Sequence, residues 1–326
     1  MELFRRPARA VLIGALLLTT APVAAQADYP QRPIRMLVTY PPGGGVDLAA
    51  RVIGQKLADT FRQQVIVDNR GGGGGNIAME MAARAQPDGH TLIMSAAGPT
   101  AINVTLYSKV PFDPVKDYAP VALVASTVYA LVAHPGVEAR NVKELISLAR
   151  ARPGKLTFAS AGIGAPPHLA SEMLKSMAGI DIVHVPYKGT GPALADLLGG
   201  QVTMMFSDAL AAAPQMKAGK LRGLAVSSPQ RFGLVPDLPT VAESGLPGFS
   251  AVGWTGLLAP AATPRAIVQR LNAEVVRALP LPDVKEKLAG DGSEFGRNTP
   301  EQFATFIKDE IAKWGKVIKA SGAKAE

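Results

Sequence analysis

The run from Ile34 to Phe61 limits most tightly what this chain can fold into. An apolar stretch over 34–39 meets Tyr40-Pro41-Pro42-Gly43-Gly44-Gly45-Val46-Asp47, and a helical pattern follows. Ala49, Ile53, Leu57 and Phe61 recur at helical spacing on one face, so the spacing predicts a helix over 47–61. Strand, glycine-rich turn and helix start together present backbone donors. The first four N–H groups of a helix have no partner inside it, and the helix dipole adds partial positive charge there. Such an end holds a phosphate or carboxylate without an arginine. Prolines lack an N–H, so donors at this end begin at Gly43. Ser160-Ala161-Gly162-Ile163-Gly164 is a second glycine turn before another helical pattern. Two such ends far apart in sequence suggest one anion held between two lobes. The spacing of Asp47 and Arg51 reads as a plain salt bridge on the helix surface.

The rest of the chain alternates strand and helix, which predicts an α/β fold with mostly parallel strands. Further strands are expected over 65–67, 91–95, 128–133, 156–159, 182–185, 202–206, 221–226 and 254–259. Helices are expected over 77–85, 142–151, 169–177, 192–198, 209–218 and 283–288. Residues 232–249 carry Pro and Gly without a period and read as a long connection. Thr263-Pro264 opens a helix with Pro at its first position. Thr299-Pro300-Glu301-Gln302 opens the last helix with a capping box. A second unit begins near Ser126, and the helical tail folds back onto the first. The expected organisation is an export segment over 1–27, one lobe from 28–125 plus 250–326, and another over 126–249.

The N-terminus sets the compartment. Arg5, Arg6 and Arg9 precede an apolar run, and Ala25-Gln26-Ala27 is an A-x-A cleavage signal. A soluble periplasmic protein cleaved after Ala27 is expected. That leaves roughly 300 residues, enough for two domains. The chain has no cysteine, which excludes thiolate metal sites and cysteine nucleophiles. Its net charge is +8, but the basic residues are scattered and aromatics are only 6%. A nucleic-acid binder needs a clustered basic stripe with stacking rings, so no nucleic-acid partner is expected.

Catalytic and metal patterns are weak. Ser160, His168 and Asp208 could be imagined as a triad, but no serine lies in a G-x-S-x-G elbow. The four histidines are isolated, with no H-x-x-x-H spacing, and no metal or other cofactor is expected. His168 near a helix start could be structural or ligand-facing. Ser95, Thr100 and Ser160 are hydroxyls at strand ends, where ligands of open α/β sheets bind. Asp208 could accept from a ligand, but a helix cap is the better reading. Residues 71–75 could be a flexible linker or a ligand-side loop.

These same residues carry a family resemblance. YPPGGGVD at 40–47, VDNRGGGGGN at 67–76, PDGHTL at 87–92, YSKVPFDPVKDYAP at 107–120, SAGIGAPPHL at 160–169, VHVPYKGTGPALADLLGG at 183–200 and PDLPTVAESGLPG at 236–248 occur in order. The chain resembles the Bug (Bordetella uptake gene, TctC-like) solute-binding proteins of tripartite tricarboxylate transporters. The resemblance implies a two-lobed fold like that of type II periplasmic binding proteins, with a ligand cleft between the lobes. It implies a ligand carboxylate held by backbone N–H groups and water between loops 40–45 and 160–164, with 95–100 and Asp208 also lining the cleft. Val46 stands where family members often carry Thr or Ser.

The resulting ligand-site set is Tyr40, Pro42, Gly43, Gly44, Ser95, Ala96, Thr100, Ser160, Gly162, Gly164, His168 and Asp208. The expected ligand is a di- or tricarboxylate, an aromatic acid or an acidic amino acid. The expected partners are membrane transporter subunits, and a monomer is expected. Two alternatives are a ligand sensor docking on a receptor ectodomain and a hydrolase acting on carboxylates.

Overall fold

The computed structural model describes residues 29–288 and 299–325. The expected export segment and its cleavage point lie outside the described residues. In chain order the elements are β1 (Ile34–Val38), α1 (Gly45–Phe61), β2 (Val65–Asn69), α2 (Asn76–Ala83), β3 (Thr91–Ala96), α3 (Asn103–Leu106), β4 (Tyr118–Thr127), β5 (Tyr129–Ala133) and α4 (Val142–Ala151). There follow β6 (Thr157–Ser160), α5 (Pro166–Ala178), β7 (Val183–Pro186), α6 (Thr190–Leu198), β8 (Met204–Asp208), α7 (Ala209–Lys217) and β9 (Arg222–Val226). The chain ends with β10 (Gly253–Pro260), α8 (Arg265–Ala278), α9 (Pro282–Leu288) and α10 (Pro300–Ser321).

Two five-stranded sheets result, ordered β2-β1-β3-β10-β4 and β7-β6-β8-β5-β9. Each has a parallel half built from strand–helix–strand units, β2-β1-β3 in one and β7-β6-β8 in the other. Each also has antiparallel pairs, made by β10 and by β5. The expectation of mostly parallel strands is thus corrected to two mixed sheets. Strand direction, reversed at β5 and at β10 where the chain crosses between the sheets, is not legible from alternation, and the edge partner of β10, β4, is hidden outright. Its run Tyr118–Thr127 does not alternate and contains Pro120. A proline inside a strand argues against a central one, but β4 lies at a sheet edge, where the missing N–H is tolerated.

The two sheets are joined where β4 runs into β5 across Val128 alone, and where the chain returns into β10. The crossings lie side by side. Gly253 pairs with Thr127, Ala251 donates to the Ser227 carbonyl, and the Ser227 N–H donates to the Tyr129 carbonyl. A side chain at Gly253 would collide with the Tyr129 hydroxyl, so this approach requires glycine. β4 stays in the first sheet to Thr127, so the first sheet extends past the expected boundary at 125.

One apolar core runs through both halves on the side of α10. It contains Leu37 and Ile93 under the first sheet, Leu131 and Phe206 under the second, and Phe303, Ile307 and Trp314 from α10. The last helix starts as its sequence predicts. Thr299 accepts from the Gln302 N–H, and Gln302 returns the bond. Its buried Glu310 accepts from the indoles of both Trp254 (3.0 Å) and Trp314 (2.8 Å) and pairs with Lys313. A carboxylate is tolerated in such a core only when it is matched like this. Pro264 is the N-cap of α8 and not its first residue, because its ψ of 133° is still outside the helical range and the helix begins at Arg265.

Candidate functional site

The first loop leaves β1 through Thr39 and Tyr40 and turns at Gly43, whose φ of +93° favours glycine. Asp47 then folds back over the turn. One of its oxygens accepts from the Gly43 N–H (2.9 Å) and Arg51 Nε (3.0 Å), and the other accepts from Asn69 Nδ2 (3.0 Å). Asn69 also donates to the Tyr40 carbonyl (3.0 Å). Burial works against the Asp47 charge, but the bonds from Arg51, Gly43 and Asn69 outweigh it and hold the carboxyl below its usual range. The reading of Asp47–Arg51 as a plain surface bridge is therefore corrected. Asp47 is 4% exposed and is the internal clasp of the turn. The Gly43 N–H is satisfied by that clasp. The N–H groups of Gly44, Gly45 and Val46 meet no acceptor among the described residues, and Gly44 and Gly45 are exposed. The donor end of α1 thus starts one residue later than the prolines alone suggest.

Residues 71–75 do not form a slack linker. Gly72 to Gly75 all have positive φ. A side chain at Gly74 would meet the Tyr107 hydroxyl, and one at Gly75 would meet Pro99 and Thr39. Asn103 Nδ2 fixes the loop by donating to the Gly74 carbonyl (3.1 Å) and to Asn76 Oδ1 (2.8 Å).

Ser95 and Thr100 lie behind the cleft surface in this structure. Both are fully buried, their hydroxyls bond each other at 2.8 Å, and Ser95 also meets Met79 Sδ at 3.3 Å. Ala96 is partly buried at the end of β3. Pro42 is exposed. Tyr40 is partly buried, with its hydroxyl beside Gly98. Burial, with the Tyr107 phenol as a lesser cause, pushes the Tyr40 hydroxyl up to about 12.

The second loop is wired differently. Ser160 Oγ accepts from the Gly162 N–H (3.2 Å) and bonds His184 Nε2 (2.7 Å). The Gly164 N–H donates to His168 Nδ1 (3.1 Å). Two donors expected to be free are thus held by the loop's own side chains. His168 is 4% exposed and points inward, so in this structure it props the loop from behind. Gly164, with φ of +77°, packs against Leu106 of α3, bringing this loop against the other half of the molecule.

Asp208 ends β8 and caps α7, accepting from the Leu210 N–H at 2.9 Å. Burial raises its carboxyl above the ordinary range, against the pull of the Leu210 and Ala211 N–H groups. A cavity of about 180 Å³ joins Gly45 and Leu48 of α1 to Thr127 at the crossing and to Asp208 and Leu210. Phe232 and Lys287 complete its wall. Tyr129 lies close enough to Asp208 and Tyr40 that, after burial, both raise its phenol further. The structure thus gathers Tyr40, the start of α1 and Asp208 at the crossing between the sheets. Residues 160–164 do not line that cavity. The reading of the sequence misses Thr127, Leu210, Phe232 and Lys287. The first ends an unrecognised strand, and Phe232 lies in the connection without a period. The imagined triad does not assemble: Ser160 bonds His184, not His168, and Asp208 is spent on a helix cap. Among the described residues there is no cluster of three or more potential metal ligands, and no helix long and apolar enough to cross a membrane.

With this geometry in hand, the family follows from sequence. The family model described as "Tripartite tricarboxylate transporter family receptor" matches residues 49–323. The chain belongs to this family. BugT of Bordetella pertussis is 38% identical over 96% of this chain and 97% of its own length. An R. palustris protein solved with adipate superposes with a TM-score of 0.75, at 35% identity, covering 91% of this chain and 99% of that one. MatC of Rhodopseudomonas palustris, solved with bound malate, gives 0.72 at 35% identity, covering 89% and 100%. The receptor family's two-lobed periplasmic-binding-protein fold is the fold of this chain, and a solute-binding role is the role of its relatives.

Proposed function

We propose that this receptor captures a small carboxylate between its two lobes in the periplasm and delivers it to a tripartite membrane transporter. The observation that carries this reading is the donor end of α1. Gly44, Gly45 and Val46 offer amides that meet no acceptor among the described residues, at the edge of a cavity shared by both halves of the molecule. A carboxylate bound there takes its hydrogen bonds from a turn already fixed by Asp47, so little ordering is lost on binding. Asp208, whose carboxyl burial raises above the ordinary range, accepts from a hydroxyl or amine on the ligand. Leu48, Leu210 and Phe232 suit an apolar middle between polar ends. Adipate and malate in related proteins support a dicarboxylate over an aromatic acid.

In this reading the export segment is removed after Ala27, the protein is a monomer, and the lobes are those expected, 28–125 with 250–326 and 126–249, with the first boundary moved to 127/128 by the end of β4. They hinge where β4 runs into β5. Tyr40, Gly44 and Asp208 meet the ligand, and so does the loop at Ser160, Gly162 and Gly164 once the lobes close. Pro42, Gly43 and Ala96 shape the wall. Ser95, Thr100 and His168 support it from behind.

The test is a thermal-shift screen of adipate, malate, citrate, glutamate and benzoate, followed by calorimetry on the best of them. A ligand at a hundred times its Kd stabilises by about 2.7 kcal/mol. At least one dicarboxylate raises the melting temperature at millimolar concentration. No shift with any acid contradicts the reading.

A further inference from the structure

Two histidines that the binding site does not itself use are stacked beneath the second loop. The imidazoles of His168 (α5) and His184 (β7) lie 4.1 Å apart between centroids, 25° from parallel. His184 stacks in turn on Phe158 of β6, at 4.8 Å and 16°. Each ring also holds one end of loop 160–164. His168 Nδ1 accepts from the Gly164 N–H, and His184 Nε2 bonds the Ser160 hydroxyl that accepts from the Gly162 N–H. An imidazole can accept at Nδ1 only while that nitrogen carries no proton, so the His168 proton belongs on Nε2.

We propose that His168 and His184 are a paired set of positioning residues that hold loop 160–164 in its ligand-receiving form only while both rings are uncharged. The proposal rests on the reading of that loop as part of the ligand site. Protonating His168 at Nδ1 sets two donors face to face at Gly164. Protonating both rings brings two cations into stacking contact. Either change releases the loop that packs through Gly164 against Leu106 in the other half of the molecule.

The surroundings favour the neutral pair. His168 is pulled down to about 4 by burial and then by His184, and His184 to about 4 by burial and then by Lys175. The opposing group is Glu172 on α5, 3.8 Å from His168 Nε2. Glu172 is buried, and burial raises its own carboxyl, which weakens its pull. From β6 the pair meets Phe158 and Ser160, neither of them charged. α10 crosses α5 further along, where Asp309, Lys313 and Lys316 face Met173 and Met177.

The experiment uses the mature chain labelled with 15N-glycine, followed by NMR from pH 7.5 to 4. Calorimetry with adipate at each pH accompanies it, on the wild type, H168N, H168L and an H168N/H184Q double variant. In the wild type the Gly162 and Gly164 amides move together with the imidazole signals, at a midpoint well below the ordinary histidine value. In the double variant, which keeps hydrogen-bonding groups but cannot titrate, those amides stay still over the same range. Adipate itself titrates in this window, so affinities are compared between proteins at one pH. Wild-type affinity falls relative to the double variant by about two- to fourfold between pH 6.5 and 4, most of it below pH 5. At pH 7.5, H168N, which retains an acceptor opposite Gly164, binds more tightly than H168L. Amides that stay fixed while the imidazoles titrate overturn the proposal. So does a pH dependence of binding that survives in the double variant. If adipate binds at no pH, the functional reading fails, and the wild-type amide titration alone still decides the histidine pair.

Discussion

The two glycine loops look alike in sequence and differ in how their backbone donors are spent. In loop 40–45 an acid, Asp47, clasps the turn from inside, and the amides of Gly44, Gly45 and Val46 meet no acceptor among the described residues. In loop 160–164 a serine and a histidine occupy the amides of Gly162 and Gly164. In the proposed reading the first is an anion site built in advance, and the second a wall whose shape depends on neutral imidazoles. A glycine-rich strand–helix turn therefore says that donors exist, and the side chains around it decide which of them reach a ligand.

The largest effect that could break this contrast is on Asp47. Asp47→Ala leaves the Gly43 N–H, Arg51 and Asn69 without their acceptor, and should cost about 2–3 kcal/mol of stability by denaturant unfolding, with adipate affinity falling too. A loss confined to a few tenths would mean that the clasp is only a surface bridge.

Acidification separates the loops by pH window. The folded-state values of His168 and His184 are depressed, so the unfolded chain takes up protons first. Their contribution is complete above the ordinary histidine value of 6.5 and is lost as pH falls from there towards about 4. Asp47 is also depressed, but from 3.8, so its contribution is lost only below that value. The melting temperature should therefore decline in two steps. In the H168N/H184Q variant the upper step should vanish.

Glycine replacement sharpens the comparison further. Gly164→Ala must accommodate φ of +77° and a contact with Leu106, and should cost about 1–3 kcal/mol. Gly44→Ala places its methyl in open space at φ of −89°, and should change stability by less than about 0.5 kcal/mol. Ser95→Ala, which strands the buried Thr100 hydroxyl, should lie between them at about 1 kcal/mol.

Local signals carried much of this fold into the sequence. The capping box at Thr299 and Gln302, the helix over Val142–Ala151 and the first strand–turn–helix are all fixed by contacts within a few residues. What stayed hidden is tertiary. β4 depends on an edge position that forgives Pro120. The role of Asp47 depends on Asn69, far along the chain, so spacing alone shows only Arg51. His168 and His184 meet because β6 and β7 pair in register, with Phe158 opposite His184. The cavity wall at Thr127 and Phe232 exists only once the two crossings lie side by side.

The most direct test of the account is an amide-resolved NMR titration of the mature protein with adipate at pH 7.5. The account predicts the largest downfield shifts at Gly44, Gly45 and Val46, as their free N–H groups receive a carboxylate. Saturable binding that leaves those three amides unmoved would contradict it.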